Sequence, residues 1–176
     1  MNTLVIYATK HGSTRKCASM LSKKLEGKVD LHDIKAGKAP DLEQYDKVVI
    51  GGSIYAGRIQ KEITEFCSQN LDALKNKKLG LFICCMLKDN AVLQLKSSYP
   101  EELMSRAIAS GSFGGEMNFS DMSFGERLIT KLVSKTMAKN DPNSAGMNMK
   151  KGISVLSGET IDKFAKTMNN AYEGIL

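Results

Sequence analysis

The stretch that decides the fold is Thr3-Leu-Val-Ile-Tyr-Ala-Thr-Lys-His-Gly-Ser-Thr14, near the start of the chain. Residues 3–8 form an apolar run that predicts a buried strand. The helical spacing of apolar residues that follows predicts a helix from Ser13 to Glu26. The turn between these two elements, residues 9–14, is rich in hydroxyl groups and contains Gly12, which permits the backbone to fold around a small ligand.

Such a turn presents backbone N–H groups and the positive end of a helix dipole to one point, which suits a phosphate group. The hydroxyls of Thr9, Ser13 and Thr14 add further donors. In the alternative interpretation, Ser13 or Thr14 only caps the helix, and Lys10 and His11 point to solvent. The residues predicted to hold the phosphate are Thr9, Lys10, His11, Gly12, Ser13 and Thr14.

Three other nucleotide-binding patterns are absent from this turn. The chain has neither the GxxxxGK[ST] loop nor a GxGxxG fingerprint after the first strand. The ends of the first and third predicted strands also lack the acidic residues with which a phosphoacceptor domain binds magnesium. The sequence therefore predicts phosphate binding without a metal ion.

Strand and helix patterns alternate through most of the remaining chain. Predicted strands cover residues 29–34, 46–53, 78–87 and 108–117, and predicted helices cover 60–74, 100–109 and a segment capped by Ser157. Apolar strands separated by helices predict an α/β/α sandwich with a five-stranded parallel sheet of order 2-1-3-4-5. We predict one domain over residues 1–176, with an insertion at about 118–152. Ligands of such sheets bind at the carboxyl ends of the strands, which selects the loops 9–14, 53–58 and 86–90.

Composition and charge describe an ordinary globular protein with a local basic excess. The 176 residues are 42% apolar and 25% charged, and they include no apolar run long enough to cross a bilayer and no signal-peptide pattern. The four cysteines have no metal-ligand spacing and are expected to be buried, unreactive thiols in a reducing cytoplasm. Residues 127–151 supply most of the net charge of +6, because this segment contains six basic residues and only one acidic residue, Asp141.

Three segments together resemble the flavodoxin family. Thr9-Lys-His-Gly-Ser-Thr14 resembles its phosphate loop, hydroxyl-x-x-Gly-x-Thr. Gly52-Ser-Ile-Tyr-Ala-Gly57 is similar to the loop that holds the isoalloxazine ring, and Cys85-Met-Leu-Lys-Asp89 has the place of the second flavin loop. The resemblance implies non-covalent FMN, with Tyr55 stacked on the ring and a peptide at Gly57 turned toward ring N5. The ring-binding residues that it implies are Ser53, Ile54, Tyr55, Ala56, Gly57, Met86, Leu87 and Lys88.

A narrower resemblance is to the menaquinone-dependent protoporphyrinogen dehydrogenases of the flavodoxin superfamily. It rests on the segments 48–54 and 127–132 and on the late basic insertion. It implies an oxidoreductase that passes electrons from a porphyrinogen to a quinone, with no catalytic residue assigned. Two alternatives stay open: an electron carrier that serves protein partners, and an interaction domain without flavin.

Charge favours the quinone-linked interpretation over a low-potential carrier. Arg58, Lys61 and Lys88 outnumber Glu62 and Asp89 around the predicted ring loops. One cation about 8 Å from the ring stabilises the reduced flavin by roughly 1–2 kcal/mol at an effective dielectric of about 20–40, which raises the reduction potential.

The predicted helix 125–140 has a cationic edge beside an apolar face. This pattern is typical of a helix that contacts a membrane surface, or of one packed on its own domain with its lysines in water. We therefore predict a cytoplasmic protein, with peripheral membrane contact through 127–139, and neither a nucleic-acid partner nor a bound metal.

Overall fold

A parallel sheet organises the chain. The computed structural model describes residues 1–86, 90–117 and 153–171. The strands within these ranges are β1 (Asn2–Ala8), β2 (Lys28–Asp33), β3 (Lys47–Tyr55), β4 (Arg58–Ile59), β5 (Lys78–Cys84), β6 (Ala109–Ser112), β7 (Glu116–Met117) and β8 (Ile153–Ser154). The main sheet has the order β2-β1-β3-β5-β6, and every pair in this order is parallel. Counting parallel strands alone, this is the predicted order 2-1-3-4-5.

Two short pairings lie outside that order. Strand β4 folds back on β3 as an antiparallel hairpin, with Ile54 opposite Ile59 and Tyr55 opposite Arg58. Strands β7 and β8 form a separate antiparallel pair.

Helices cover both faces of the sheet. They are α1 (Ser13–Ser22), α2 (Lys61–Gln69), α3 (Leu71–Lys75), α4 (Ala91–Ser98), α5 (Glu101–Met104) and α6 (Gly158–Asn170), with a 3-10 turn at Leu42–Gln44. Alternate side chains of β1 divide between two cores: Leu4 and Ile6 belong to the one under α2 to α5, and Val5 and Tyr7 to the one under α1 and α6. The strands are apolar on both faces because each face is buried.

Several helix boundaries differ from the sequence prediction. The first helix ends at Ser22 rather than Glu26, before the left-handed Gly27 with φ +85°. The predicted helix 60–74 is two helices, because the Asn70 side chain donates to Phe66 O at 2.9 Å and the backbone there leaves the helical region. Helix α4 was not predicted, whereas the predicted helix 100–109 shortens to α5. The predicted helix 125–140 lies outside the described residues.

Two predicted strands are also too long. The strand predicted over 78–87 ends at Cys84. The strand predicted over 108–117 is interrupted at Gly114, which has φ +77° and no room for a Cβ against the Val155 carbonyl. The chain turns there, so that residues 116–117 pair with β8 instead of extending β6. Ser157 caps the last helix as predicted, accepting a hydrogen bond from Thr160 N at 3.2 Å.

Close packing at Gly51 fixes the carboxyl end of β3. A Cβ at Gly51 would overlap the ring of Phe82. That ring stacks on Phe113 with centroids 4.4 Å apart and meets Phe164 edge-on at 6.3 Å. The glycine thus lets a three-ring cluster pack against β3.

The last helix is also tied to the opposite end of the sheet. Lys47 is buried, and its Nζ donates to Met168 O at 2.6 Å; Lys78, its register partner, donates to Ala171 O at 3.0 Å. Burial, followed by the nearby charge of Lys78, lowers the pKa of Lys47.

Candidate functional site

The carboxyl ends of β1, β3 and β5 meet at one edge of the sheet. The loops after β1 and β3 lie on neighbouring strands, since Ala8 is the register partner of Gly52. The chain order changes direction between these two strands, which makes this edge the expected ligand position of a doubly wound sheet.

The turn after β1 is built around Gly12. This residue is the N-cap of α1 with φ +87°, and its N–H donates to Thr9 Oγ1 at 2.9 Å. The N-cap residue is thus a glycine without a side chain, so neither Ser13 nor Thr14 has the capping role of the alternative interpretation. The first turn of α1 contains no acidic residue. Its open N–H groups and dipole therefore favour an anion.

Two buried hydroxyl groups at this edge are poorly satisfied by the described residues. Thr14 is fully buried and Ser53 is 8% exposed. Within the described residues, Ser53 Oγ has no hydrogen-bond partner, and Thr14 Oγ1 has only a weak contact with the buried Cys84 thiol. A buried polar group without a partner costs about 1–3 kcal/mol, and such groups are rare in folded proteins. Both hydroxyls, one on each of the two loops, fit a polar ligand held between them.

The β3–β4 hairpin presents Tyr55. Its two-residue turn, Ala56-Gly57, has φ +49° and +77°, as a type I′ turn requires. The Tyr55 side chain is 38% exposed, and Lys10 Nζ lies 3.4 Å from its ring centroid. The His11 ring lies 6.3 Å away at a tilt of 55°. The predicted phosphate loop and the predicted ring loop are therefore in contact.

The third predicted loop is only partly described. Met86 is half-buried and faces Gly115, where a Cβ would lie 2.8 Å from Met86 Sδ. Leu87 and Lys88 lie outside the described residues.

Sequence reasoning missed Gln94 on α4. Its Nε2 would lie 3.9 Å from a Cβ placed at Gly57, and its Oε1 is buried without a partner among the described residues. A polar group of this kind has no signal in the sequence, because its burial depends on how α4 packs beside β4.

Positive charge gathers around Tyr55. Lys61 forms an ion pair with Glu65 at 2.8 Å, so its charge is largely matched. Arg58, opposite Tyr55 in the hairpin, is exposed. Lys10, predicted only to meet the phosphate or solvent, is the cation that touches the aromatic ring.

The cysteines near this edge are packing groups. All four are buried, as predicted. The hydrogen bond between Cys17 and Cys84 lowers the pKa of Cys17 and, with burial, raises that of Cys84, while burial raises the pKa of Cys67 to about 12. Cys67 and Cys84 therefore stay protonated near neutral pH and do not supply thiolate nucleophiles.

A doubly wound parallel sheet with an anion-binding turn at the point where its strand order reverses defines a flavodoxin-like protein. The sequence profile of the flavodoxin domain family matches residues 4–144. The chain belongs to this family. Its membership confirms the flavodoxin-like fold, the FMN cofactor and the redox class that the sequence predicted. Flavodoxin-like proteins exchange electrons with redox partners or with quinone-type substrates.

Relatives and solved structures agree with this assignment. Protoporphyrinogen IX dehydrogenase [quinone] of Escherichia coli K12 is 33% identical over 79 residues, which is 43% of this chain and 44% of the relative. The match thus spans less than half of that enzyme. A flavodoxin from the domain Archaea has a TM-score of 0.52 at 15% identity, over 78% of this chain and 99% of that one.

A second structure, the flavodiiron core Flv1 of Synechocystis sp. PCC6803, has a TM-score of 0.53 at 13% identity, over 97% of this chain and 36% of that one. At these identities both structures support the fold alone. In the described part of the chain, no helix has both the length and the apolar character that crossing a bilayer requires.

Proposed function

We propose that the chain holds FMN at the edge formed by the loops 9–14 and 53–58 and transfers electrons between an organic reductant and a quinone. The observation that carries the site assignment is the buried Ser53 hydroxyl, which has no partner in the described residues, together with the buried Thr14 hydroxyl, which has only a weak contact with the Cys84 thiol. Ser53 lies near the carboxyl end of β3, and Thr14 lies in the first turn of α1, at the open N-terminus of that helix.

The chain's own residues divide the task of binding. The N–H groups of residues 10–14 and the Thr14 hydroxyl would hold the phosphate, while Gly12 keeps the turn open around it. Tyr55 would lie against the isoalloxazine ring, with Ser53 and the hairpin turn 56–57 at the ring's edge. FMN itself supplies the redox chemistry, and the protein orients it and sets its electrostatics.

Positive charge supports a quinone-linked role. Arg58 lies on the hairpin that would hold the ring, and no acidic residue lies in the described residues 9–14 or 53–58. Cations stabilise the negative charge of a reduced flavin, so its potential rises toward the range in which quinones accept electrons. The partial match to a quinone-linked protoporphyrinogen dehydrogenase favours a porphyrinogen as the electron donor.

Cytoplasmic localisation, with contact to the membrane through residues 127–139, is part of this proposal. It rests on the sequence pattern of the insertion, which lies outside the described residues. A quinone dissolved in the bilayer would make such a contact useful.

The experiment is a flavin titration followed by a redox assay. Apoprotein should take up one FMN per chain, and anaerobic titration should give a potential above that of low-potential flavodoxins. Turnover of protoporphyrinogen with a menaquinone analogue should then be faster than electron exchange with a flavodoxin reductase.

Each alternative has its own outcome in these measurements. FMN uptake with rapid exchange to the reductase, and no quinone reduction, would assign an electron carrier instead. Correctly folded apoprotein that takes up no FMN would refute the whole proposal and leave an interaction domain.

A further inference from the structure

Lys10 connects the two halves of the candidate site. Its Nζ lies 3.4 Å from the centroid of the Tyr55 ring, well inside the distance at which a cation and an aromatic face attract each other. The backbone of Lys10 belongs to the turn 9–14, whereas Tyr55 ends β3. The ammonium group therefore covers one face of the ring from the neighbouring loop.

A flat ligand ring and this ammonium group compete for the same face. Two stacked rings lie about 3.5–4 Å apart, which is the contact distance between carbon atoms. The ammonium of Lys10 is already at about this distance from the Tyr55 ring. A ligand ring that takes this face displaces Lys10. The loss of the cation–π contact then opposes binding unless the ligand offers the ammonium another partner.

We propose that Lys10 makes this site select phosphorylated flavin over unphosphorylated flavin, an inference that rests on the proposed function. In FMN the phosphate would lie in the turn that contains Lys10, so the displaced ammonium remains tethered beside an anion and forms a charge-assisted hydrogen bond with it. Riboflavin has no phosphate, so it offers the displaced ammonium no anion in compensation for the lost contact with Tyr55. Lys10 is thus a specificity-determining residue rather than a catalytic one.

The local charges agree with this role. The exposed Lys10 side chain reaches Tyr55 from a turn without acidic residues, and the first turn of α1 has none either. Lys61 and Lys35, the lysines beside the hairpin, form ion pairs with Glu65 and Glu62 at 2.8 and 3.6 Å. Glu62 and Glu65 of α2 therefore match the charges of these two lysines.

The test compares FMN and riboflavin binding to three variants by quenching of flavin fluorescence. Lys10→Met keeps the length of the side chain and removes its charge; Lys10→Arg keeps the charge; Lys166→Met removes an exposed charge on α6 as the control. Lys10→Met should lower the ratio of the riboflavin to the FMN dissociation constant by about 10-fold or more. It should also tighten riboflavin itself by about twofold to fivefold.

The other variants identify the cause. Lys10→Arg should retain most of the ratio, and Lys166→Met should leave it unchanged. In a Tyr55→Leu background, Lys10→Met should no longer tighten riboflavin, because the ring face that the ammonium covers is gone.

The possible results separate this inference from the proposed function. FMN binding with an unchanged ratio in Lys10→Met would overturn the role of Lys10 and leave FMN binding intact. A wild-type protein that binds neither flavin would overturn both.

Discussion

Replacing Thr14 by valine should have opposite effects on the apoprotein and on FMN binding. The Thr14 hydroxyl is fully buried, and its contact among the described residues is a weak one with the buried Cys84 thiol. Valine has nearly the same shape and lacks the polar group, so it removes a desolvation penalty of about 1–3 kcal/mol. Allowing for local repacking, we expect the free energy of unfolding of the apoprotein to rise by about 1 kcal/mol, or about 2–4 °C in Tm for a chain of this size.

The same substitution should weaken the binding of FMN. A hydrogen bond from a hydroxyl to a charged phosphate contributes about 1.5–3 kcal/mol, which corresponds to a loss of about 10-fold to 150-fold in affinity. Denaturant unfolding followed by circular dichroism measures the first effect, and fluorescence titration with FMN measures the second. Thr64→Val, at an exposed position on α2, is the matched control and should change neither quantity.

Two results would contradict this reasoning. An apoprotein destabilised by Thr14→Val would mean that the contact between the hydroxyl and the Cys84 thiol stabilises the fold by more than the desolvation of the hydroxyl costs. A stabilised apoprotein with unchanged FMN affinity would mean that the hydroxyl is buried away from the phosphate, and the anion site would then need another donor.

Two further predictions concern the packing beneath the site. Gly51→Ala should lower the free energy of unfolding by about 3 kcal/mol, because the new Cβ overlaps the Phe82 ring, which is stacked on Phe113. Thermal unfolding measures the loss, and Gly37→Ala, which has open space around its Cβ, is the control. Equal Tm values for the two variants would contradict the close packing at Gly51. Burial raises the folded-state pKa of Cys67 to about 12 from 9.0, so the folded state keeps a proton that the unfolded state loses above pH 9, and stability falls as pH rises from 9 to 12. Between pH 9 and 10.5, the free energy of unfolding of Cys67→Ala, measured by urea titration, should therefore fall by about 2 kcal/mol less than that of the wild type. If the two free energies instead fall in parallel with pH, the thiol does not titrate in this way.

The sequence anticipates those features that repeat over many residues or depend on one local rule. The apolar run of β1, the turn 9–14 and the cap at Ser157 each follow from local periodicity or side-chain chemistry, and each is present in the structure. The parallel order follows from strands that are apolar on both faces.

Features that depend on contacts across the chain could not be predicted in this way. Strand β4 is only two residues long, too short for any periodicity, and it forms because the turn 56–57 has positive φ at both residues. The break at Gly114 depends on the carbonyl of Val155, which is far along the chain. The Lys10–Tyr55 contact joins two segments that come close together only when β1 and β3 have paired.

The position of α6 has a consequence for synthesis of the protein. Ile161, Phe164 and Met168 bury the face of the sheet that contains Phe82 and Phe113, yet they are translated after almost all of that sheet. A nascent chain that has left the ribosome only as far as Ser157 has α1 on this face but lacks the part of the layer that α6 supplies over Phe82 and Phe113. Until α6 has been synthesised, these aromatic side chains are incompletely covered, and exposed apolar surface of this kind favours aggregation during synthesis.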